Sequence, residues 1–205
     1  MIRIGPRFNC TNCELYVKDV RVQCKSDLKY LGINLLSGKT LKCNLQPVKQ
    51  KFYRAVNGIL GKIISTKNPS VVISLINSCA LSILLYGLEA LNLTISLRNT
   101  IDFVYNSVFV KLFNTKDSSV IKQCQYYTEN FPATCILDMK KLSFDATLSN
   151  MIGSLPFVLN KLVCGHEEQQ KLCEKYSIPP STILQTSKIS RKLYVHKWFE
   201  ECCNN

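Results

Sequence analysis

The sequence predicts an α+β fold, predominantly α, in which short N-terminal antiparallel strands precede a helical bundle and a loosely organised helical tail. Three observations predict it. The first forty or so residues alternate branched and aromatic runs with polar breaks, the pattern of strands and turns. From Asn44 onward, apolar residues recur at helical spacing. Past Gly153 that spacing loosens. With 205 residues and 46% hydrophobic content the chain has material for one or two domains and a real core, which excludes global disorder.

Residues 1–42 form the strand unit. Leu15 to Val17 and Val20 to Val22 read as two short strands, and Lys25-Ser26-Asp27 as a turn. A third apolar run, Leu28 to Leu36, is interrupted by Gly32. A glycine inside a strand marks a bulge, or a place where another backbone or a ligand comes close.

Residues 43–152 form the helical unit. Asn44 is expected to cap a helix with Pro47 in its first turn and an apolar face of Val48, Phe52, Ala55, Val56, Ile59, Leu60 and Ile63. Lys49, Lys51, Arg54 and Lys62 are expected to fall mostly off that face and point outward. Asn68-Pro69 opens a second helix by the same logic. Ser96 is expected to cap a third, in which Ile101, Val104, Tyr105, Val108, Phe109, Leu112 and Phe113 keep helical spacing. A shorter helix from Ser118 to Asn130 ends at Pro132, and Asp138 is expected to open a fifth, to Ile152. Residues 153–205 make the tail. Helical pieces are expected over Pro156 to Cys164, Glu167 to Tyr176 and Lys188 to Cys202, with a break at Ile178-Pro179-Pro180.

Val71 to Leu88 carries no charge over 18 positions, the threshold length of a membrane span. Ser74, Ser78 and Ser82 recur every four residues with Asn77 beside them, and draw a polar stripe down one helical face. The run also lacks the flanking basic and aromatic anchors of a span. It reads as one buried helix of a bundle, and no membrane attachment is expected.

The chain carries 26 Lys and Arg against 14 Asp and Glu, for a net charge of +12. No acidic residue falls between Asp27 and Glu89, a stretch holding eight lysines and arginines. Such a local field suits nucleic acid. The 11 cysteines are an odd count, and Met1 to Cys13 has no apolar signal-like core. Free thiols in a reducing compartment, cytoplasmic or nuclear, are expected. Cys10-x-x-Cys13 is half of a zinc-type pair whose other half, Cys24 and Cys43, lacks the spacing. Cys164-Gly-His166 with Cys173 lacks the short-spaced cysteine pair of a zinc knuckle. Neither predicts a metal.

Two motifs carry a resemblance. Lys29-Tyr30-Leu31-Gly32 follows the strand pair, and Leu84-Leu85-Tyr86-Gly87-Leu88-Glu89 closes the uncharged run. In this order and spacing they resemble the end of the palm and the start of the thumb of non-LTR (LINE-type) retrotransposon reverse transcriptases, where KYLG marks the primer grip. Phe109-Val110-Lys111-Leu112-Phe113 is similar to the family's next thumb helix, and Arg3-Ile4-Gly5-Pro6-Arg7 to the segment before KYLG. The resemblance spans about three quarters of the chain. It implies a nucleic-acid partner, an RNA–DNA or primer–template duplex, with Lys29, Tyr30, Leu31 and Gly32 at the primer terminus. Lys49, Lys51, Arg54 and Lys62 are the candidate phosphate contacts.

The intact family enzyme polymerises with Mg²⁺ held by clustered carboxylates. This sequence has no Tyr-x-Asp-Asp, Asp-Asp or Asp-x-Asp. In the family the catalytic turn precedes KYLG, so a truncated chain is expected that binds no metal and does not polymerise alone. Glu14, Asp19 and Asp27 are expected to be solvated turn acids. A basic helical module that binds nucleic acid or protein without polymerase ancestry is the alternative from another class.

Overall fold

A computed structural model describes residues 1–9, 15–63, 68–150, 166–179 and 188–204. Five short strands come first: β1 (Leu15–Val17), β2 (Val20–Val22), β3 (Asp27–Tyr30), β4 (Ile33–Leu36) and β5 (Lys42–Cys43). Helices α1 (Gln46–Ile63), α2 (Pro69–Cys79) and α3 (Leu81–Leu85) follow, then a 3₁₀ turn over Leu88–Ala90. The remainder is α4 (Ile95–Phe113), α5 (Ser118–Tyr127), α6 (Ala133–Asn150), α7 (His166–Lys175) and α8 (Lys188–Asn204). The α+β, mostly helical class is as predicted.

The strands make two small antiparallel sheets, β1-β2 and β3-β4-β5. The run over 28–36 is not one strand. It is a hairpin with Tyr30 opposite Ile33, and Leu31 and Gly32 turn the corner at φ 45° and 86°. Positive φ at both central residues is the primed turn, whose twist matches that of the flanking strands. Gly32 is therefore a turn residue and not a bulge. Asp27 does not sit in a turn either: it is the exposed first residue of β3. Asp19 does occupy the β1–β2 turn, and Glu14 lies outside the described residues. The N-terminal segment is stitched to the larger sheet by Gly5 N–H donating to the Gly38 carbonyl and Gly38 N–H to the Arg3 carbonyl, at 2.9 and 3.2 Å. The β1–β2 hairpin leaves Leu15, Tyr16, Val17 and Val20 exposed.

Asn44 caps α1 as the sequence predicts, its side chain accepting from Gln46 N–H at 2.9 Å. Asn68 caps α2, accepting from Ser70 N–H at 3.0 Å with Pro69 behind it. The uncharged run over 71–88 does not form one helix. It breaks at Ala80 between α2 and α3 and turns away at Gly87, whose φ is 68°. The serine stripe marks the break: Ser82 Oγ donates back to the Cys79 carbonyl at 3.2 Å and Ser78 Oγ to the Leu75 carbonyl at 3.0 Å. Such back-bonding competes with the helix ladder and bends it. Among the described residues, no helix is long and apolar enough to cross a membrane.

Two further caps differ from expectation. Thr94, not Ser96, caps α4 by accepting from Leu97 N–H at 3.4 Å. Asp138 does not open α6. The helix starts at Ala133, and its cap comes from another helix: the Asp102 carboxylate accepts from Thr134 N–H at 2.9 Å and from its hydroxyl at 2.7 Å. Local sequence cannot reveal a cap supplied 32 residues away.

Two cores share α6. The first gathers Phe52, Val56 and Leu60 of α1, Val72, Ile73 and Ile76 of α2, Leu84 and Leu85 of α3, Ile101, Val104, Tyr105, Val108 and Phe109 of α4, and Leu137 of α6. The second joins Cys135 and Leu142 of α6 to Leu172 and Cys173 of α7 and to Val195 and Phe199 of α8, with Tyr176 and Ile178 just after α7. The helical piece expected over Pro156 to Cys164 lies outside the described residues.

Candidate nucleic-acid interface

The two motifs that carry the family resemblance meet. A β-carbon on Gly32 would lie 3.2 Å from Tyr86 Cε1, and one on Gly87 would lie 2.6 Å from Ile33 Cδ1. Gly32 thus receives a side chain from the second motif, and Gly87 the side chain that directly follows the first. Both also hold positive φ, which favours glycine, and a β-carbon at either would push on the side chain that faces it. The hairpin tip and the α3 exit are seated on each other at two points.

A cavity of about 500 Å³ opens along this seam. Leu31, Gly32 and Ile33 of the hairpin line one side, and Ser82, Ile83, Tyr86 and Leu88 another. Val48 and Lys51 reach it from α1, and Cys43 lies at its base. Burial pushes the Cys43 thiol up, so it lines the groove as a small neutral group. The rim is apolar and open: Leu31 is 72% exposed and Tyr86 61%. Leu31 holds its left-handed backbone without burying its side chain, a strain of about 1–2 kcal/mol with no packing return in the free chain.

The structure brings together only part of the expected site. Leu31, Gly32 and Lys51 reach the groove. Lys29 and Tyr30 are exposed on β3 but do not line it, and consecutive strand residues face opposite ways. Lys51, Arg54 and Lys62 are exposed on α1. At helical pitch Lys51 and Lys62 differ by about 20° and Arg54 by about 60°, so the three share a stripe. Gly58 lies on the same stripe, with open space where a β-carbon would be. Bare backbone there permits close approach by a partner. Lys49 is a correction. It sits about 160° from Lys51, in line with buried Phe52, Val56 and Leu60, and is half-buried. Lys49 departs from the outward expectation because the buried stripe runs to the helix start.

The residues missed were Tyr86, inside the second motif, and Ile33, directly after the first. The signal was present in the paired glycines, since a glycine at a close approach implies a partner to approach it. Lys111 of the third family-like segment joins α4 to α1, donating to Asn57 Oδ1 at 2.8 Å. Among the described residues no cluster of His, Cys, Asp or Glu could hold a metal. Cys10, Cys13 and Cys164 lie outside them. No protein-family model, no curated protein and no solved structure matches the chain.

The seating predicts a specific coupling. Gly87→Ala is expected to cost about 2 kcal/mol, from left-handed strain and contact with Ile33 Cδ1. Ile33→Val deletes that methyl and should return part of the loss in the double variant. Urea denaturation reads it. Costs that simply add in the double variant would mean the motifs do not touch.

Proposed function

We propose that the chain is the primer-gripping and thumb portion of a non-LTR-type reverse transcriptase, holding the backbone of a nucleic-acid duplex without a polymerising centre of its own. The mutual seating of KYLG and LYGxE carries this reading. Either motif alone is a short and common string. Interlocked through two glycines, they behave as one unit that shapes an open groove. Lys51 joins that groove to the α1 stripe of Lys51, Arg54 and Lys62, and no acidic residue lies between Asp27 and Glu89 to offset it. Cations that neutralise phosphates release condensed counterions, which gives affinity without sequence preference. The hairpin tip is exposed and held at positive φ, and in this reading it meets a strand end in the groove. The sequence has no paired aspartates, which supports holding rather than chemistry as the role of these residues.

Fluorescence anisotropy with a labelled RNA–DNA duplex tests the reading. Affinity is expected to fall steeply between 50 and 200 mM salt, on the order of tenfold or more if about three phosphates are contacted. The triple variant Lys51→Glu, Arg54→Glu, Lys62→Glu should weaken binding at least about tenfold and flatten the salt slope by about 3. Lys49→Glu, off the stripe, should change it little. A flat salt response, or a triple variant that binds like the parent, overturns the proposal.

A further inference from the structure

The tip of the β3–β4 hairpin carries a residue that folding alone does not explain. A two-residue turn with positive φ at both central positions favours Asn-Gly, and this chain has Leu31-Gly32 there. Leucine has no polar group to steady a left-handed backbone, and burial does not compensate it, since Leu31 is 72% exposed. An apolar side chain kept at a strained, exposed tip points to a contact made outside the chain. Tyr86 lines the same groove, is 61% exposed and has its ring beside Gly32. Ile83 and Leu88 extend the apolar wall. Two donors complete the lining. Asn44 spends its Oδ1 on the α1 cap and keeps its Nδ2 free among the described residues. Lys51 makes no ion pair or hydrogen bond among them.

We propose that the groove takes the base of one unpaired nucleotide at a strand end, held against Leu31 and Tyr86, with its phosphate on Lys51. This rests on the duplex-holding reading and names the kind of end that the duplex must offer, an overhanging one. Aromatic rings and apolar wedges are the side chains that hold unstacked bases, and they do so whatever the base. Every base also carries an acceptor for Asn44 Nδ2. A base inside a duplex is stacked on both faces and paired at its edge, so taking it out costs unpairing, and an unpaired end avoids that cost. The cavity of about 500 Å³ has the size of a small-molecule site, room for a nucleotide and not for a duplex. An apolar peptide would cover the walls but leave Lys51 without a counter-charge, in a stretch with no acidic residue between Asp27 and Glu89.

Anisotropy of the full chain with labelled RNA–DNA duplexes that end in a single overhanging nucleotide tests it. The overhang is placed at the 3′ or the 5′ end, and is either intact or abasic. At one of the two ends the intact overhang is expected to bind at least about fivefold more tightly than the abasic one. The end that shows the gain assigns the polarity. The salt slope should be the same for both, because they carry the same phosphates. Leu31→Asn should abolish the ratio of intact to abasic affinity, and Leu31→Met, which keeps the apolar contact, should retain it. Asn-Gly suits the turn, so Leu31→Asn is expected to keep the parent's Tm or raise it by about 2–4 °C. Equal binding of intact and abasic ends, or an unchanged ratio in Leu31→Asn, would overturn the proposal. So would a fall in Tm of more than about 3 °C in that variant, since the leucine would then serve the fold. Equal binding with a steep salt response overturns this proposal alone, whereas failure to bind any of the duplexes overturns the duplex reading with it.

Discussion

Asp138→Ala is expected to lower the unfolding free energy by about 3–5 kcal/mol, close to 10 °C in Tm for a chain of this size. Asp138 is fully buried in α6 and accepts from three groups. Arg98 of α4 bonds one oxygen, while Lys175 Nζ at 3.0 Å and the Tyr176 hydroxyl at 2.7 Å bond the other. Arg98 and Lys175 keep 23% and 32% of their side-chain surface, so both are largely desolvated. Lys175 Nζ also lies 4.7 Å from the ring centres of Tyr176 and Trp198. Removing the carboxylate leaves two largely desolvated cations without the anion that bonds them, with only the Asp102 carboxylate still acting on both, and frees α7 from α6. Breaking a buried ion pair is costly, whereas replacing all of its members by apolar groups often is not. The triple variant Asp138→Leu, Arg98→Met, Lys175→Met should therefore recover most of the loss. Far-UV circular dichroism and the fluorescence of Trp198, the single tryptophan, report the two cores separately. A single variant within about 1 kcal/mol of the parent would show that the cluster does not hold α7 in place.

That cluster also shows where the sequence was legible. Fold class, the caps at Asn44 and Asn68 and the buried face of α4 follow from local rules, because proline, asparagine and 3.6-residue spacing act within one turn of helix. Asp138 does not. An aspartate ahead of an apolar run resembles an N-cap, yet it sits inside a helix because Arg98, Lys175 and Tyr176 neutralise and bond it there. The Thr94 cap is the milder case, where two nearby hydroxyl residues competed. The hairpin at Leu31-Gly32 was obscured for another reason. Turn preferences name Asn-Gly, and a leucine at positive φ violates them, so tertiary seating against Tyr86 decides the conformation. The groove itself was half legible. Gly32 announced a close approach, but only the fold shows that it is to Tyr86 and that Gly87 receives Ile33 in return.

Stability is expected to collapse at alkaline pH, with onset near pH 9. Burial pushes the Cys135 thiol from 9.0 up to about 12. It also raises the hydroxyls of Tyr105, bonded to Asn77, and of Tyr176, bonded to Asp138. In the unfolded chain these groups ionise at ordinary values, about 9 for the thiol and about 10 for the phenols. Above those values the unfolded state has released protons that the folded state retains. It binds fewer protons, so the unfolding free energy falls as pH rises. The slope is about 1.4 kcal/mol per pH unit for each group: of these three, the thiol alone between pH 9 and 10 and all of them above 10. Burial pushes the Cys43 and Cys173 thiols up as well, and they add to the fall. About 4 kcal/mol per unit in that upper range exhausts a typical domain stability within two to three units. Below pH 9 both states are protonated and these groups produce no slope. Exposed lysines lose charge over the same range, but their screened repulsion is worth far less. Urea midpoints at pH 8, 9, 10 and 11, in reductant, measure the effect. Tyr176→Phe and Cys135→Ala should each make the decline shallower. Midpoints that hold steady to pH 11 would mean that these three groups meet water in the folded chain, and that the two cores are not closed around them.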